Sequence, residues 1–291
     1  MVHVPAGTFR MGSEDFYPEE RPVREVEVGA FWIDPAPVTV GEFRRFVRAT
    51  GHVSVAERPL APENFPEADP ELLVPGSLVF SPPPGPVPFD DVRAWWRYVP
   101  GACWHRPEGP RSDTYTRGRH PVTQVAHEDA AAYAAWAGKA LPTEAEWERA
   151  ARGGLDGAAF AWGDEEHPGG VPLANTWQGE FPWRNSAEDG YAGTSPVGAF
   201  PPNGFGLHDM CGNVWEWTAD WFTPTHDTAP PAPCCPPPAE QRDESVPLRV
   251  IKGGSHLCAP VYCLRYRPAA RQGEAIDTST SHIGFRCVVR A

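Results

Sequence analysis

Long helices are closed to this chain by its own turn-forming residues. Proline breaks a helix interior and glycine weakens one, and 36 prolines with 28 glycines among 291 residues exclude a bundle of long helices. Twelve tryptophans supply large apolar side chains that can anchor a compact core of loops and short elements. Few regular elements are therefore expected, and the helices and short strands read below make the fold class α+β with low regular secondary structure. The length permits one large domain or two modest ones. Neither an internal repeat nor a convincing boundary is visible, so a single domain over residues 1–291 is expected.

Three helices are predicted. Thr39 with Glu42 reads as a capping box opening residues 40–50, where Phe43, Phe46 and Val47 share a face and Gly51 is the stop. Thr143 and Glu146 repeat the box ahead of Trp147, Ala150 and Ala151, with Gly153 as the stop. Between them, residues 128–140 are alanine-rich, with Tyr133, Trp136 and Ala140 at helical spacing. These aromatic residues are expected in the core. Short strands are predicted over residues 2–9, 23–33, 249–252 and 283–289 from their β-branched and aromatic content. Residues 58–110, with 13 prolines, and residues 223–247, with Pro230-Pro231, Pro233 and Pro236-Pro237-Pro238, are predicted to be irregular insertions.

Charge and cysteine usage narrow the setting. A net charge of −13 disfavours nucleic acid as a partner and suits a cationic peptide or bound metal ions. The first residues lack the basic start and apolar run of a secretory signal, and no segment approaches the ~20 apolar residues of a membrane span. A soluble, cytoplasmic protein with no membrane partner is expected. Seven cysteines, an odd number without a dense framework, point to a reducing compartment with most thiols free.

The chemistry concentrates in residues 249–287, which open R-V-I-K-G-G-S-H-L-C-A-P-V-Y-C-L-R-Y-R and close S-H-I-G-F-R-C. Cys258 and Cys263 lie five positions apart with Pro260 between them. The proline disfavours a continuous helix, so the two thiols are expected on a bent segment where they can converge. Converging thiolates are a soft pair that favours Cu(I), zinc or iron–sulfur iron, and two sulfurs are too few for a closed four-ligand zinc site. On spacing alone, core thiols or a disulfide are the commoner explanations.

The text around the pair resembles the formylglycine-generating enzymes, also called sulfatase-modifying factors. Gly253-Gly254-Ser255 precedes the pair, Tyr262 lies within it, Arg265 follows it, and Gly284-Phe285-Arg286-Cys287 closes the stretch. The resemblance begins at Pro5-Ala6-Gly7-Thr8-Phe9-Arg10-Met11-Gly12 and runs to Cys287. The G-F-R-C ending marks a broad superfamily, whereas a C-x4-C pair within G-G-S-x-x-C is the more specific mark of the oxidase branch. The resemblance implies a fold related to C-type lectins, in which the chain termini pair.

It also implies an activity: oxidation by molecular oxygen of one cysteine, within a Cys-x-Pro-x-Arg sequence of an unfolded or nascent sulfatase, to Cα-formylglycine. A monomer is expected. Taking hydrogen from an unactivated carbon demands an oxidant that no ordinary side chain provides. By the same resemblance, Cys258 and Cys263 hold Cu(I) in a nearly linear arrangement and the substrate thiolate joins as a third sulfur. An open position then lets oxygen react beside the carbon to be oxidised. Ser255 is expected to donate a hydrogen bond near bound oxygen, Trp215 to wall the pocket, and Tyr262 and Arg265 to orient or electrostatically support it. Ser255 reads alternatively as a strand-end turn residue, and Arg265 as half of a surface ion pair.

Residues 175–216 are rich in oxygen donors between glycines and aromatics, a pattern that serves calcium or merely caps turns. The resemblance implies two structural calcium sites. One uses Asn175, Thr176, Asp189 and Tyr191, with Thr176 and Tyr191 giving main-chain oxygens. The other uses Asp209, Gly212, Val214 and Glu216, with carbonyls from Gly212 and Val214 and an aspartate where asparagine is common.

Several positions depart from the family pattern. His127 stands where tryptophan is typical, Ala259 replaces a common histidine, and Gln272-Gly273-Glu274-Ala275-Ile276-Asp277 replaces an Asn-Thr-Pro-Asp wording. A changed pocket wall and substrate preference are expected. Secreted relatives bridge the cysteine matching Cys287, but the Arg117 region offers no partner, so no bridge is expected here. Cys234 and Cys235 read as inert thiols or as a transient copper relay, and His256 as a packing residue. Two other readings compete. One is an iron-dependent sulfoxide synthase of the ergothioneine branch, whose extra N-terminal helical domain has no room before Val2. The other is a non-catalytic lectin-like binding module, which retention of both Cys258 and Cys263 disfavours.

Overall fold

The computed structural model describes residues 1–60, 62, 73–226 and 246–290. Four short strands open the chain: β1 (Val2–Val4), β2 (Gly7–Met11), β3 (Arg24–Val28) and β4 (Phe31–Ile33). The two strands predicted here are thus each broken in two, the first at Pro5, which has no N–H to donate to a ladder, and the second at Gly29-Ala30. β2 pairs with β3 and turns Phe9 and Met11 inward while Thr8 and Arg10 face solvent. β1 pairs antiparallel with one edge of β4.

All three predicted helices form: α1 (Val40–Thr50), α2 (His127–Trp136) and α3 (Glu144–Arg152). Both capping boxes are in place. Thr39 accepts from the Glu42 N–H at 3.2 Å, Thr143 accepts from the Glu146 N–H at 3.1 Å, and each glutamate reaches back to its threonine N–H. Gly51 and Gly153 close α1 and α3 in the left-handed region, at φ 71° and 57°. Thr143→Ala is expected to cost about 1 kcal/mol, read as a lower urea midpoint at unchanged slope.

The middle helix departs from expectation. α2 stops at Trp136 instead of reaching Ala140, because the backbone turns left-handed at Gly138 and Ala140 bridges to Val288. Trp136 is 44% exposed, against the prediction that it is core, whereas Tyr133 is buried against Phe43 and Phe285. Trp136 instead shields the edge of Phe46 and Tyr133 from outside.

The proline-rich stretch 58–110 is not wholly irregular. β5 (Gly76–Phe80) pairs with β6 (Trp96–Pro100) residue for residue, because its prolines fall between the strands and at their ends. A smaller ladder joins β7 (Gly179–Glu180) to β8 (Arg184–Asn185). Most of the second predicted irregular stretch, including Cys234 and Cys235, lies outside the described residues.

The central sheet has the order β11-β10-β9-β12, from β9 (Trp215–Trp221), β10 (Leu248–Lys252), β11 (Arg271–Ala275) and β12 (Ile283–Gly284). Only the β9–β12 contact is parallel. The last strand, β13 (Val288–Arg290), pairs with β4 on the edge opposite β1. The termini therefore share a sheet with β4 between them and do not pair with each other. Among the described residues, no helix is long and apolar enough to cross a membrane.

Helix α3 joins this sheet to the amino-terminal strands. Trp147, Ala150 and Ala151 pack with Phe9, Met11 and Leu207. The adjoining stripe of the helix buries charge. Glu148 accepts from Lys252 Nζ at 2.9 Å and Arg152 Nη2 at 2.7 Å, and Glu144 accepts from Arg271 Nε at 2.7 Å. Opposite charges and hydrogen bonds hold both carboxyls in the ionised form despite burial. Lys252 is the last residue of β10, so this network fixes the point from which the next segment departs.

Candidate active site

Immediately after β10 the backbone folds back through Gly253 and Gly254, at φ 93° and 68°. A Cβ on Gly253 would stand 2.9 Å from the Met210 carbonyl oxygen and the Trp147 ring, and one on Gly254 would stand 2.7 Å from Tyr266 N. Only glycine fits both the dihedrals and the space. Two turns follow. The Cys258 N–H donates to the Ser255 carbonyl at 2.9 Å, and the Cys263 N–H donates to the Ala259 carbonyl at 2.7 Å. Pro260, at the hinge between them, prevents one helix from absorbing both.

The two turns bring Cys258 Sγ within 3.2 Å of Cys263 Sγ. Both side chains are buried, and the thiols are free. This separation exceeds a disulfide bond of about 2.05 Å and is less than two metal–sulfur bonds of roughly 2.3 Å laid end to end. A metal on the straight line between them requires the pair to open, which qualifies the nearly linear arrangement expected.

Both sulfurs line a cavity of about 530 Å³. Trp215, at the start of β9, walls it, together with Trp95 and Phe181. Tyr262 stacks on Phe181 at 4.6 Å between centroids and meets Trp95 edge-on at 5.6 Å, so packing fixes its ring. Ser255 is fully buried: its N–H donates to Cys258 Sγ at 3.4 Å and its Oγ accepts from the Leu257 N–H at 3.2 Å. The serine thus occupies the predicted turn role while remaining on the cavity wall. Arg265 also combines its two readings. It pairs with Glu19 and lies over the Tyr17 ring at 3.8 Å, yet it borders the cavity beside Cys263.

The pair is electrostatically lopsided. The hydrogen bond from Cys258 pulls the Cys263 thiol below its ordinary range, and the Arg265 charge adds to this against the cost of burial. Burial first, then the neighbouring thiolate, pushes Cys258 well above the ordinary range. The two thiols therefore titrate as a pair and not independently. Elsewhere on the cavity wall, burial raises the Glu274 carboxyl to about 6 and lowers His282 to about 3.

The departures from the family pattern fall unequally. His127 does not line the cavity; its ring meets Trp217 edge-on at 5.6 Å and contacts the Thr218 carbonyl at 3.1 Å. Ala259 is buried beside Trp95 and Leu257. Gln272 and Glu274 do reach the cavity wall. His256 packs as expected, with Nδ1 2.8 Å from the Asn213 carbonyl and burial lowering it to about 4. Cys287 is a free, buried thiol.

The residues proposed from the resemblance for calcium sit in two different environments. Asn175 Oδ1 is buried with no donor, although its Nδ2 donates to the Gly193 carbonyl at 2.9 Å. Asp189 accepts from the N–H groups of Tyr191 and Thr176 at 2.9 and 3.3 Å. In the second group, Asp209 is left-handed at φ 55° and accepts from the Gly198 N–H at 2.8 Å. Glu216 there is already engaged: Arg286 donates to both its oxygens at 2.7 Å, and Trp147 Nε1 donates at 2.8 Å.

The model of the sulfatase-modifying factor enzyme 1-like domain matches residues 1–291. The chain belongs to the sulfatase-modifying factor family. It is 57% identical to the formylglycine-generating enzyme of Mycobacterium tuberculosis, over 99% of this chain and 97% of that one. It is 49% identical to the formylglycine-generating enzyme of Thermomonospora curvata, over 99% and 92%. Among solved structures, PvdO from Pseudomonas aeruginosa superposes with a TM-score of 0.67 at 29% identity, covering 99% of this chain and 93% of that one. The α+β architecture is the family's fold, related to C-type lectins, with short strands and, among the described residues, three short α-helices.

Proposed function

We propose that this chain matures sulfatases by oxidising the cysteine of a Cys-x-Pro-x-Arg sequence to Cα-formylglycine, with molecular oxygen as oxidant and Cu(I) held by Cys258 and Cys263. The observation that carries the proposal is the buried thiol pair at the wall of an open cavity. Two soft sulfurs suit a monovalent copper ion and leave a position for a third sulfur. The metal, when bound, supplies the reactivity toward oxygen that side chains lack.

The chain's own groups account for the remaining work. Cys263, already biased toward thiolate, and Cys258 present the donor pair, and Arg265 offsets its negative charge. The aromatic wall of Trp95, Trp215, Phe181 and Tyr262 excludes water from the reacting carbon and offers an apolar seat for the motif's proline. Glu274 adds an acidic group to the same wall for a cationic segment. Turning CH2–SH into an aldehyde, with sulfur leaving as hydrogen sulfide, removes two electrons, whereas reducing oxygen to water takes four. A thiol reductant must supply the other two. The test is to incubate copper-loaded protein with a Cys-Thr-Pro-Ser-Arg peptide, oxygen and a thiol reductant. Mass spectrometry is expected to show aldehyde, and its absence would sink the proposal.

Calcium is proposed at Asn175, Asp189 and the carbonyls of Thr176 and Tyr191. A buried acceptor without a donor is the mark of a missing cation or water, and Asn175 Oδ1 is one. The set at Asp209, Gly212, Val214 and Glu216 fits calcium less well, because Arg286 already neutralises Glu216. Chelation with EDTA is expected to lower the melting temperature. Saturation at a hundred times Kd corresponds to about 2.7 kcal/mol. Asn175→Ala should erase the calcium-dependent part of the stability while leaving the chelated protein's melting point near that of the parent.

A further inference from the structure

A second group of ligating side chains lies outside the cavity. Glu57, Cys103 and His105 bring a carboxylate oxygen, a sulfur and a ring nitrogen within 4.8 Å of one another. Cys103 Sγ is 3.4 Å from His105 Nδ1, which is 3.8 Å from Glu57 Oε1. Around a tetrahedral zinc ion, with bonds of about 2.0–2.3 Å, neighbouring donors stand roughly 3.3–3.6 Å apart. The Cys103–His105 and His105–Glu57 separations are therefore within a few tenths of an ångström of that spacing. We infer that Glu57, Cys103 and His105 form a zinc site whose fourth position is open to water.

Each donor is aimed by its own local structure. Cys103 and Arg106 exchange backbone hydrogen bonds of 3.1 and 2.9 Å, a tight turn that sets the Cys103 and His105 side chains together. Glu57 ends the 3-10 turn Val55–Glu57, and its Oε2 is held by the Ser54 hydroxyl at 2.7 Å and the Ser54 N–H at 3.1 Å. That leaves Oε1 to face the imidazole. The turn is itself anchored, since the Val55 N–H donates to the Asp129 carboxylate at 3.1 Å. Supporting contacts of this kind orient ligands at metal sites.

The donor set selects the ion. One thiolate with imidazole and carboxylate suits zinc and is poor for calcium or magnesium, which take oxygen alone. Cys103 is buried while Glu57 and His105 are only half-buried, so an ion enters from the solvent side. On binding, the thiol gives up its proton to water and becomes the sulfur ligand. The ion clips the turn that follows α1 to the turn that follows β6.

The test uses the full chain carrying Cys258→Ser and Cys263→Ser, so that the cavity thiols cannot bind the metal. Loaded with zinc and dialysed against metal-free buffer, this protein is expected to retain one equivalent by elemental mass spectrometry. Cobalt(II) in its place should give a thiolate-to-metal charge-transfer band that Cys103→Ala removes. His105→Ala and Glu57→Gln, at half-buried positions where folding survives, should each weaken zinc binding by roughly tenfold or more. Zinc retained with unchanged affinity in these two variants, or no zinc retained by the unaltered cluster, would overturn the assignment.

Discussion

Cys258→Ser and Cys263→Ser are each expected to lower aldehyde formation on a Cys-Thr-Pro-Ser-Arg peptide by at least roughly a thousandfold, the scale seen when one member of a catalytic unit is removed. Serine keeps the size of the side chain close to that of cysteine but replaces a soft, ionisable sulfur with a hydroxyl that stays protonated near neutral pH. The two sulfurs stand 3.2 Å apart, so they act as one donor unit. Their effects should not add: the double variant is expected to be no slower than either single one. Circular dichroism and melting temperature should stay near the parent values, because the exchange leaves no large cavity. A single variant that still turns over at the parent rate would remove that sulfur from the reaction.

The largest loss of stability is expected from Arg286→Leu. Arg286 and Glu216 are fully buried and joined by two hydrogen bonds of 2.7 Å, and Arg286 also donates to the carbonyls of His208 at 2.9 Å and Asp209 at 3.2 Å. Removing the guanidinium strands a buried carboxylate and two carbonyls. Breaking such a pair costs about 3–5 kcal/mol, a large share of the 5–15 kcal/mol or so typical of a domain. Urea unfolding should show the midpoint collapse, or the protein should fail to accumulate in soluble form. Pairing the change with Glu216→Met should recover part of the loss, because the penalty lies in the unmatched charge. Recovery stays incomplete because Trp147 Nε1 then lacks its acceptor. A single variant as stable as the parent would show that the pair is solvated in solution.

What could be read from the sequence were features settled within a few residues. The boxes at Thr39 and Thr143 and the stops at Gly51 and Gly153 depend on neighbours three or four positions away, and all four are present. The convergence of Cys258 and Cys263 followed from Pro260 and the family motif. Features set by distant partners were hidden. Glu144 and Glu148 carry no local sign of their ion pairs, and their partners Arg271 and Lys252 are more than a hundred residues away. The Glu19 and Tyr17 contacts that hold Arg265 beside the cavity cross almost the whole chain. Trp136 satisfied the helical spacing and still faces outward, since periodicity says nothing of where a helix ends its packing. Glu57, Cys103 and His105 carry no local pattern; only folding brings the first to the other two.

We propose that Cys258 and Cys263 together hold a single Cu(I) with room for a third sulfur. X-ray absorption at the copper edge, recorded on protein loaded with one equivalent of Cu(I) before and after adding the Cys-Thr-Pro-Ser-Arg peptide, tests it most directly. Two sulfur neighbours and no nitrogen or oxygen are expected at first, then three sulfurs with peptide. Nitrogen or oxygen ligands in the loaded protein, or an unchanged spectrum in the Cys258→Ser, Cys263→Ser double variant, would contradict it.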